Sequence, residues 1–272
     1  MDQVLQNKPI GIFDSGIGGL TVAHAIQQKL PAEQLIYFGD TAHLPYGDKS
    51  EAAIQAYSIK IADVLLAHQC KVIVIACNSA SSAAYELLKA YVGSKAYVID
   101  VINPMVQLVG QSYSNKKVGL IGTKRTVQSG VYASKLAALP QPIVVSQLAT
   151  PLLVHMIEEG FFNNRISHDI IAQYLNDESL QNIEALILAC THFPLIKEEI
   201  KAFYHNRVAV LDSAEEVALS LEMYLKQHNL LSERNSKPQH TFLVSDFTAS
   251  FEASTKLFFG EIVKLNKHPL WE

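Results

Sequence analysis

Short apolar runs alternate with longer amphipathic stretches along the whole chain of 272 residues. The runs are rich in Val, Ile and Leu, as is typical of strands that are buried on both faces of a sheet. They predict strands over 9–14, 34–40, 71–77, 96–100, 117–122, 143–148, 185–190, 208–212 and 240–246.

The stretches between these runs repeat their apolar positions with the period of a helix. Examples are GLTVAHAIQQKL (19–30), SEAAIQAYSIKIADVLLAHQ (50–69) and SAEEVALSLEMYLKQH (213–228). A polar segment, SERNSKPQH (232–240), predicts a loop before the last strand. Strands that alternate with helices form mainly parallel sheets that helices cover on both sides, so the pattern predicts an α/β fold.

Three features of the first half recur in the second half. PIGIFDSG and KVGLIGTK share a glycine, KVIVIACNS and EALILACTH share a cysteine, and two later runs share a final aspartate. The pairs are 108, 113 and 112 residues apart: Gly11 with Gly119, Cys77 with Cys190, and Asp100 with Asp212. The alternative is chance resemblance between buried strands. Repetition predicts two similar lobes related by a pseudo-twofold axis, the first over 1–100 and 212–272 and the second over 101–211.

Reactive side chains follow several of the predicted strands. They stand in Asp14-Ser15-Gly16, Asp40-Thr41, Cys77-Asn78-Ser79 and Cys190-Thr191-His192. Open parallel sheets bind ligands at the carboxyl ends of their strands. If the two lobes face one another, Cys77 and Cys190 approach a shared cleft from opposite sides.

The three cysteines are an odd number, and their spacing fits neither a disulfide framework nor a zinc site. This usage is typical of a reduced, cytoplasmic protein. Cys70 precedes its strand and is expected to be a small core residue. Cys77 and Cys190 are followed by polar residues, so each is either a core residue or a thiol exposed at a strand end.

Two unbonded thiols that face each other suit one kind of chemistry. Moving a proton from one face of a carbon to the other needs two acid/base groups, and the thiol pKa of about 8.5 is close enough to neutrality for both roles. Such a site must also stabilise a carbanion-like transition state with polar groups. Asn78, Ser79 and Thr191 supply amide and hydroxyl groups for a carboxylate. His192 follows Cys190 by two residues, so in an extended chain both side chains point to one side.

Composition and motifs exclude several other classes. The net charge of −4 shows no basic footprint for nucleic acid. No apolar run is long enough to span a membrane, and MDQVLQNKPI has no signal-peptide pattern. The histidines form no HExxH-like cluster, so no metal site is expected. DSGIGG (14–19) lacks the spacing of a phosphate-binding loop, and Asp14 there is either a helix N-cap or a site residue.

The motifs FDSGIGGLTV, YFGDTAHLPYG, IACNSAS, LIGTKRT and ILACTHFPLI together closely resemble those of the glutamate racemases. The resemblance extends from about Ile10 to Asp212. It implies cofactor-independent interconversion of L- and D-glutamate, with the substrate in the cleft between two α/β lobes.

The same resemblance implies a role for each site residue. Cys77 acts on the D-glutamate face and Cys190 on the L face, assisted by Asp14 and His192 respectively. Glu158 corresponds to a glutamate near the second thiol, although His155 stands where the family has proline. The implied substrate contacts are Asp14, Ser15, Tyr46, Gly47, Asn78, Ser79, Thr123, Thr191 and His192. The family usually has threonine at the position of Ser79, and serine keeps the hydroxyl.

The resemblance also implies a cytoplasmic homodimer that supplies D-glutamate for peptidoglycan, and hence for cell-wall biogenesis and cell shape. Two alternatives act on the same class of ligand, namely a racemase for aspartate or another amino acid and a non-catalytic amino-acid-binding protein. A thiol redox protein is a third alternative, which the absence of CxxC disfavours.

Overall fold

Two parallel β-sheets flanked by helices make up the part of the chain that the computed structural model describes, residues 5–234 and 236–271. The ten strands of these residues are β1 (Ile10–Asp14), β2 (Leu35–Gly39), β3 (Val72–Ile75), β4 (Tyr97–Asp100), β5 (Val118–Gly122), β6 (Val145–Ala149), β7 (Ala185–Ala189), β8 (Ala209–Asp212), β9 (Thr241–Val244) and β10 (Leu265–Lys267). Every strand pair is parallel. The predicted α/β fold is confirmed.

Helices connect the strands and cover the sheets. They are α1 (Leu20–Lys29), α2 (Glu51–Ala67), α3 (Asn78–Val92), α4 (Ile102–Ser112), α5 (Lys124–Gln128), α6 (Val131–Ala137), α7 (Pro151–Glu158), α8 (Arg165–Leu175), α9 (Lys197–Phe203), α10 (Ser213–Gln227) and α11 (Ala249–Phe259). Short 3-10 turns lie at Tyr46–Asp48, Glu178–Leu180 and Phe193–Ile196. Among the described residues, none of these helices is long and apolar enough to cross a bilayer.

The two sheets share one strand order. The first runs β10-β9-β2-β1-β3-β4 and the second β6-β5-β7-β8, so β5 to β8 are arranged as β1 to β4 are. The registers match as well, since Asp100 pairs with Ile75 and Asp212 pairs with Leu188, each two residues before a cysteine. This shared topology supports the internal repeat read from the sequence. The predicted lobe boundaries remain a prediction.

The alternation of side chains along each strand divides the core of the first sheet. Ile10 and Ile12 face one side and pack in a cluster that continues into the second sheet. Phe13 faces the other side and packs with residues of α2 and α3. Because helices cover both faces, most strand residues of the first sheet are apolar and buried.

Nine of the ten described strands lie where the apolar runs predict them. The tenth, β10, was not predicted, because an edge strand that pairs only with β9 needs no continuous apolar run. Four predicted strands also ran too far at their carboxyl ends, since β2 ends at Gly39, β3 at Ile75, β7 at Ala189 and β9 at Val244. Cys77 and Cys190 therefore lie just beyond their strands. The polar segment 232–240 is irregular where it is described, and Asn235 lies outside the described residues.

Candidate active site

A small cavity lies where the carboxyl ends of strands from both sheets meet. It is lined by eleven of the twelve predicted site residues, namely Ser15, Tyr46, Gly47, Cys77, Asn78, Ser79, Thr123, Glu158, Cys190, Thr191 and His192. Two larger surface grooves, of about 680 and 640 Å³, contain none of these residues. The site of interest is therefore the small cavity between the sheets.

Cys77 stands at the junction between β3 and α3. It is the N-cap residue of α3, and its Sγ accepts a hydrogen bond from the Ala80 amide at 3.4 Å. Its thiol donates to Ser15 Oγ at 3.7 Å. Burial, and then the nearby Asp14 carboxylate, raise the pKa of Cys77 to about 12, so this thiol is protonated at neutral pH.

Asp14 lies beneath the cavity, fully buried at the end of β1. One carboxyl oxygen, Oδ2, accepts from the Gly16 amide at 3.0 Å, and the other, Oδ1, has no hydrogen-bond partner. Burial raises the pKa of Asp14, and the positive charge of His192 partly offsets that effect. The N-cap alternative for Asp14 is wrong, because Gly19 occupies that position of α1 and receives no side-chain cap.

Cys190 belongs to a chain of three titratable groups. Its Sγ lies 3.8 Å from Nδ1 of His192, and Nε2 of the same ring lies 3.0 Å from Oε1 of Glu158. Burial opposes protonation of His192, but the hydrogen bonds and negative charges of Cys190 and Glu158 outweigh it and raise the pKa of His192 to about 10. His192 is therefore an imidazolium at neutral pH, the kind of neighbour that stabilises a thiolate.

The backbone at His192 differs from the extended form that the sequence argument assumed. His192 has φ −79° and ψ −32° and leads into the 3-10 turn Phe193–Ile196. Its ring still reaches Cys190, because the glycine-rich loop leaves room for it. A Cβ on Gly18 would lie 2.5 Å from Cε1 of His192, and one on Gly19 would lie 2.5 Å from Cβ of Asp14. The glycines of DSGIGG thus allow close packing around two site residues.

Hydrogen-bonding groups from both sheets face the cavity. Ser79 Oγ and Thr123 Oγ1 lie 2.8 Å apart, with Ser79 after β3 and Thr123 after β5. Asn78 Oδ1 accepts from the phenol of Tyr132 at 2.9 Å, and its buried Nδ2 has no partner. A free amide donor and two hydroxyls are suited to bind a carboxylate.

One wall of the cavity is the segment Leu44–Gly47. Its Gly47 packs against Thr123, where a Cβ would approach Cβ of Thr123 to 2.9 Å. Four lining residues were not predicted from the sequence: Gly16, Leu44, Pro45 and Val154. Gly16 and Pro45 adjoin predicted residues in the chain, and Leu44 lies two residues before Tyr46. Val154 precedes Glu158 by one helical turn, which is the signal that could have identified it.

The cavity is small. Its volume is about 30 Å³, which is room for one or two water molecules and too little for an amino acid. Among the described residues, no group of three or more His, Cys, Asp or Glu side chains is arranged to hold a metal ion.

Comparison with known proteins shows which family the chain belongs to. Residues 11–221 match the model of the family described as Asp/Glu/Hydantoin racemase. The chain belongs to this racemase family. The resemblance recognised in the sequence motifs is thereby confirmed, and so is the prediction that the protein is an enzyme.

Relatives along almost the full length are named glutamate racemases. The chain is 39% identical to one from Neisseria meningitidis serogroup C over 97% of each protein, and 42% identical to one from Chlorobium phaeobacteroides over 92% of each. It also superposes on a glutamate racemase from Francisella tularensis in complex with D-glutamate, with TM-score 0.91, 37% identity and coverage of 98% and 99%.

Proposed function

We propose that this racemase interconverts L- and D-glutamate with two cysteines as its acid/base groups. The observation that carries the proposal is that Cys77 and Cys190 line one cavity from two different sheets, each beside its own titratable partner. The near full-length relatives named glutamate racemase support glutamate as the substrate.

In the L-to-D direction, Cys190 is the base. Its thiolate takes the proton from Cα, and the electron pair of the C–H bond stays on Cα and delocalises into the carboxylate. Cys77, a protonated thiol, gives its proton to the opposite face. The product is D-glutamate, with Cys190 as a thiol and Cys77 as a thiolate. In the D-to-L direction the two cysteines exchange these roles.

His192 and Asp14 support the two thiols in different ways. The imidazolium of His192, which is hydrogen-bonded to Glu158, stabilises negative charge on Cys190 before Cys190 acts as a base. Asp14 disfavours a thiolate at Cys77 and so keeps that thiol ready to donate. At the start of an L-to-D turnover, Cys77 is therefore the acid and Cys190 is the base.

The polar groups in and beneath the cavity suggest how glutamate binds. The α-carboxylate accepts from Asn78 Nδ2 and from the hydroxyls of Ser79 and Thr123, and the α-ammonium donates to Asp14 Oδ1 or Ser15. Ser15, Tyr46, Gly47, Thr191 and His192 complete the proposed contacts. Because the cavity is smaller than an amino acid, its lining must move before substrate enters.

A racemase for aspartate is the alternative within the same family. An assay that compares L-glutamate, D-glutamate and both aspartate enantiomers, without pyridoxal phosphate, separates the two. We expect loss of optical activity for both glutamate enantiomers at a kcat/KM at least a hundredfold above that for aspartate. Preference for aspartate would contradict the proposed substrate. If the protein racemises neither glutamate nor aspartate, a non-catalytic amino-acid-binding protein explains the result better.

The biological setting is part of the same proposal. The enzyme makes D-glutamate in the cytoplasm, where it is used for peptidoglycan. The first lobe comprises residues 1–100 and 212–272, and the second comprises residues 101–211. We further propose a homodimer, since Leu152, Phe161 and Ile166 expose 48, 48 and 55% of their surfaces near α7 and α8. Sedimentation equilibrium should give twice the chain mass of 30.0 kDa, and a single 30.0 kDa species would contradict the dimer.

A further inference from the structure

Asp40 follows β2 and carries a carboxyl group that the proposed chemistry does not use. It is fully buried and does not line the cavity. Its Oδ1 accepts from Ser245 Oγ at 2.7 Å and from the indole N–H of Trp271 at 2.8 Å. His43 Nδ1 lies within 3.2 Å of both oxygens. Asp40 therefore joins segments that are far apart in the chain.

The remaining partner of Asp40 belongs to the cavity wall. The phenol of Tyr46 donates to Oδ2 at 2.6 Å, and Tyr46 is 1% exposed. The next residue, Gly47, packs on Thr123, whose hydroxyl bonds to Ser79. The position of the Tyr46–Gly47 wall is thus fixed on one side by Asp40 and on the other by the hydroxyl pair that faces the cavity.

Trp271 is held in place by aromatic and cationic contacts. Its ring lies edge-on to His43 at 4.5 Å and to Tyr57 at 5.2 Å, and Nζ of Lys60 lies 4.9 Å from the ring centroid. His43 in turn stacks on Tyr57 at 4.1 Å, and Tyr57 contacts Tyr46 at 5.7 Å. These contacts make Trp271 part of the same packed unit as the cavity wall.

We propose that Trp271 is a positioning residue for glutamate, acting through Asp40 on the Tyr46–Gly47 wall. The inference rests on the proposed function, in which that wall contacts the substrate. Without the indole N–H, Asp40 keeps the hydrogen bonds of Ser245, His43 and Tyr46, but its Oδ1 loses one close donor and the orientation of the carboxylate is less tightly fixed. Since Tyr46 is bonded to the other oxygen of the same group, the wall shifts with it. Substrate binding weakens, while the thiols and their partners stay in place.

The kinetic test uses Trp271→Phe, which keeps an aromatic ring and removes the N–H donor. We expect KM for D-glutamate to rise about three- to tenfold, kcat to change less than twofold, and Tm to stay within about 3 °C, because only a single hydrogen bond is lost. The matched control is Tyr91→Phe, which removes the phenol that donates to Asp63 at 2.8 Å on the surface. The control should leave KM unchanged.

A second test uses fluorescence, because Trp271 is the only tryptophan in the chain. Glutamate should change the emission of the wild-type protein with a midpoint that matches KM. Tyr46→Phe, which removes the hydrogen bond between the wall and Asp40, should bind glutamate more weakly, and saturating glutamate should then change its emission little.

The outcomes separate this inference from the proposed function. Normal turnover together with unchanged emission, or an unchanged KM in Trp271→Phe, would overturn the role of Trp271 and leave the two-cysteine proposal intact. Loss of kcat with no change in KM would likewise overturn it. If the wild-type protein does not racemise glutamate but its emission still responds, the proposed reaction fails while the coupling of Trp271 to the site stands.

Discussion

His192 lies with its Nδ1 3.8 Å from the Sγ of Cys190, while the opposing thiol, Cys77, has no cation beside it among its described contacts. The two thiols therefore begin in unlike environments. One is paired with an imidazolium, and the other is protonated by burial and by the charge of Asp14. In the proposed mechanism, this asymmetry gives a site made of two identical side chains a defined acid and a defined base.

Replacing His192 by asparagine should lower kcat by roughly a hundredfold, which is the lower end of the rate contribution that a positioned acid/base group typically makes. The two directions should be affected unequally, because only Cys190 loses its cation. The enantiomers have equal free energies, so kcat/KM must stay equal in both directions and the asymmetry must appear in kcat and KM separately. Initial rates with each enantiomer measure this.

The matched control is His155→Asn, an exposed histidine on α7, the helix that carries Glu158. It should leave both kcat values unchanged. An equal decrease of kcat in the two directions for His192→Asn would mean that His192 is not the specific partner of Cys190.

Stability should depend on pH through His192. Its pKa rises from an ordinary value of 6.5 to about 10 in the folded protein. The stabilisation is therefore fully present below pH 6.5 and is lost as the pH rises through about 10. The difference in Tm between wild type and His192→Asn should shrink between pH 6.5 and 10. A difference that stays constant over this range would contradict the ion pair.

Gly18→Ala should reduce activity at least tenfold. The added Cβ would lie 2.5 Å from Cε1 of His192 and 2.7 Å from Oγ1 of Thr191, so the imidazole must move away from Cys190. The control is Gly110→Ala in α4, where the Cβ meets mainly the flexible end of Leu139 and alanine favours the helix. Activity and Tm are measured for both, and full activity in Gly18→Ala would show that the close packing on His192 is not needed.

Much of this site could be predicted from the sequence, because apolar strands place their following residues at one edge of a sheet. Cys77 and Cys190 were located in this way, as was the repeat that brings them together. Family motifs supplied Tyr46, Gly47 and Glu158, which no periodicity marks.

The rest depends on contacts that a sequence does not display. The turn at His192, the packing of Gly18 on its ring and the link from Trp271 to Tyr46 all join residues from different elements. β10 escaped prediction because an edge strand carries a weak apolar signal. The small volume of the cavity is likewise a property of how the two sheets pack together.

Glutamate binding should depend on the presence of a hydroxyl at Ser79 more than on the rest of that side chain. Ser79→Ala should raise KM for glutamate about tenfold or more, because a hydrogen bond to a carboxylate is worth about 1.5–3 kcal/mol. Ser79→Thr, which keeps a hydroxyl at this position, should keep KM within about threefold. A KM in Ser79→Ala that equals that of wild type would remove Ser79 from the substrate site.

The central claim is tested most directly by racemisation of glutamate in D2O, with purified protein free of pyridoxal phosphate. L-Glutamate should lose optical activity and gain deuterium at Cα, and Cys77→Ala and Cys190→Ala should each abolish the racemisation. Cys70→Ala, the control at a buried thiol in the core, should keep it. The contradicting result is that both enantiomers keep their α-protons with the wild-type protein, or that either cysteine variant at the cavity racemises at the wild-type rate.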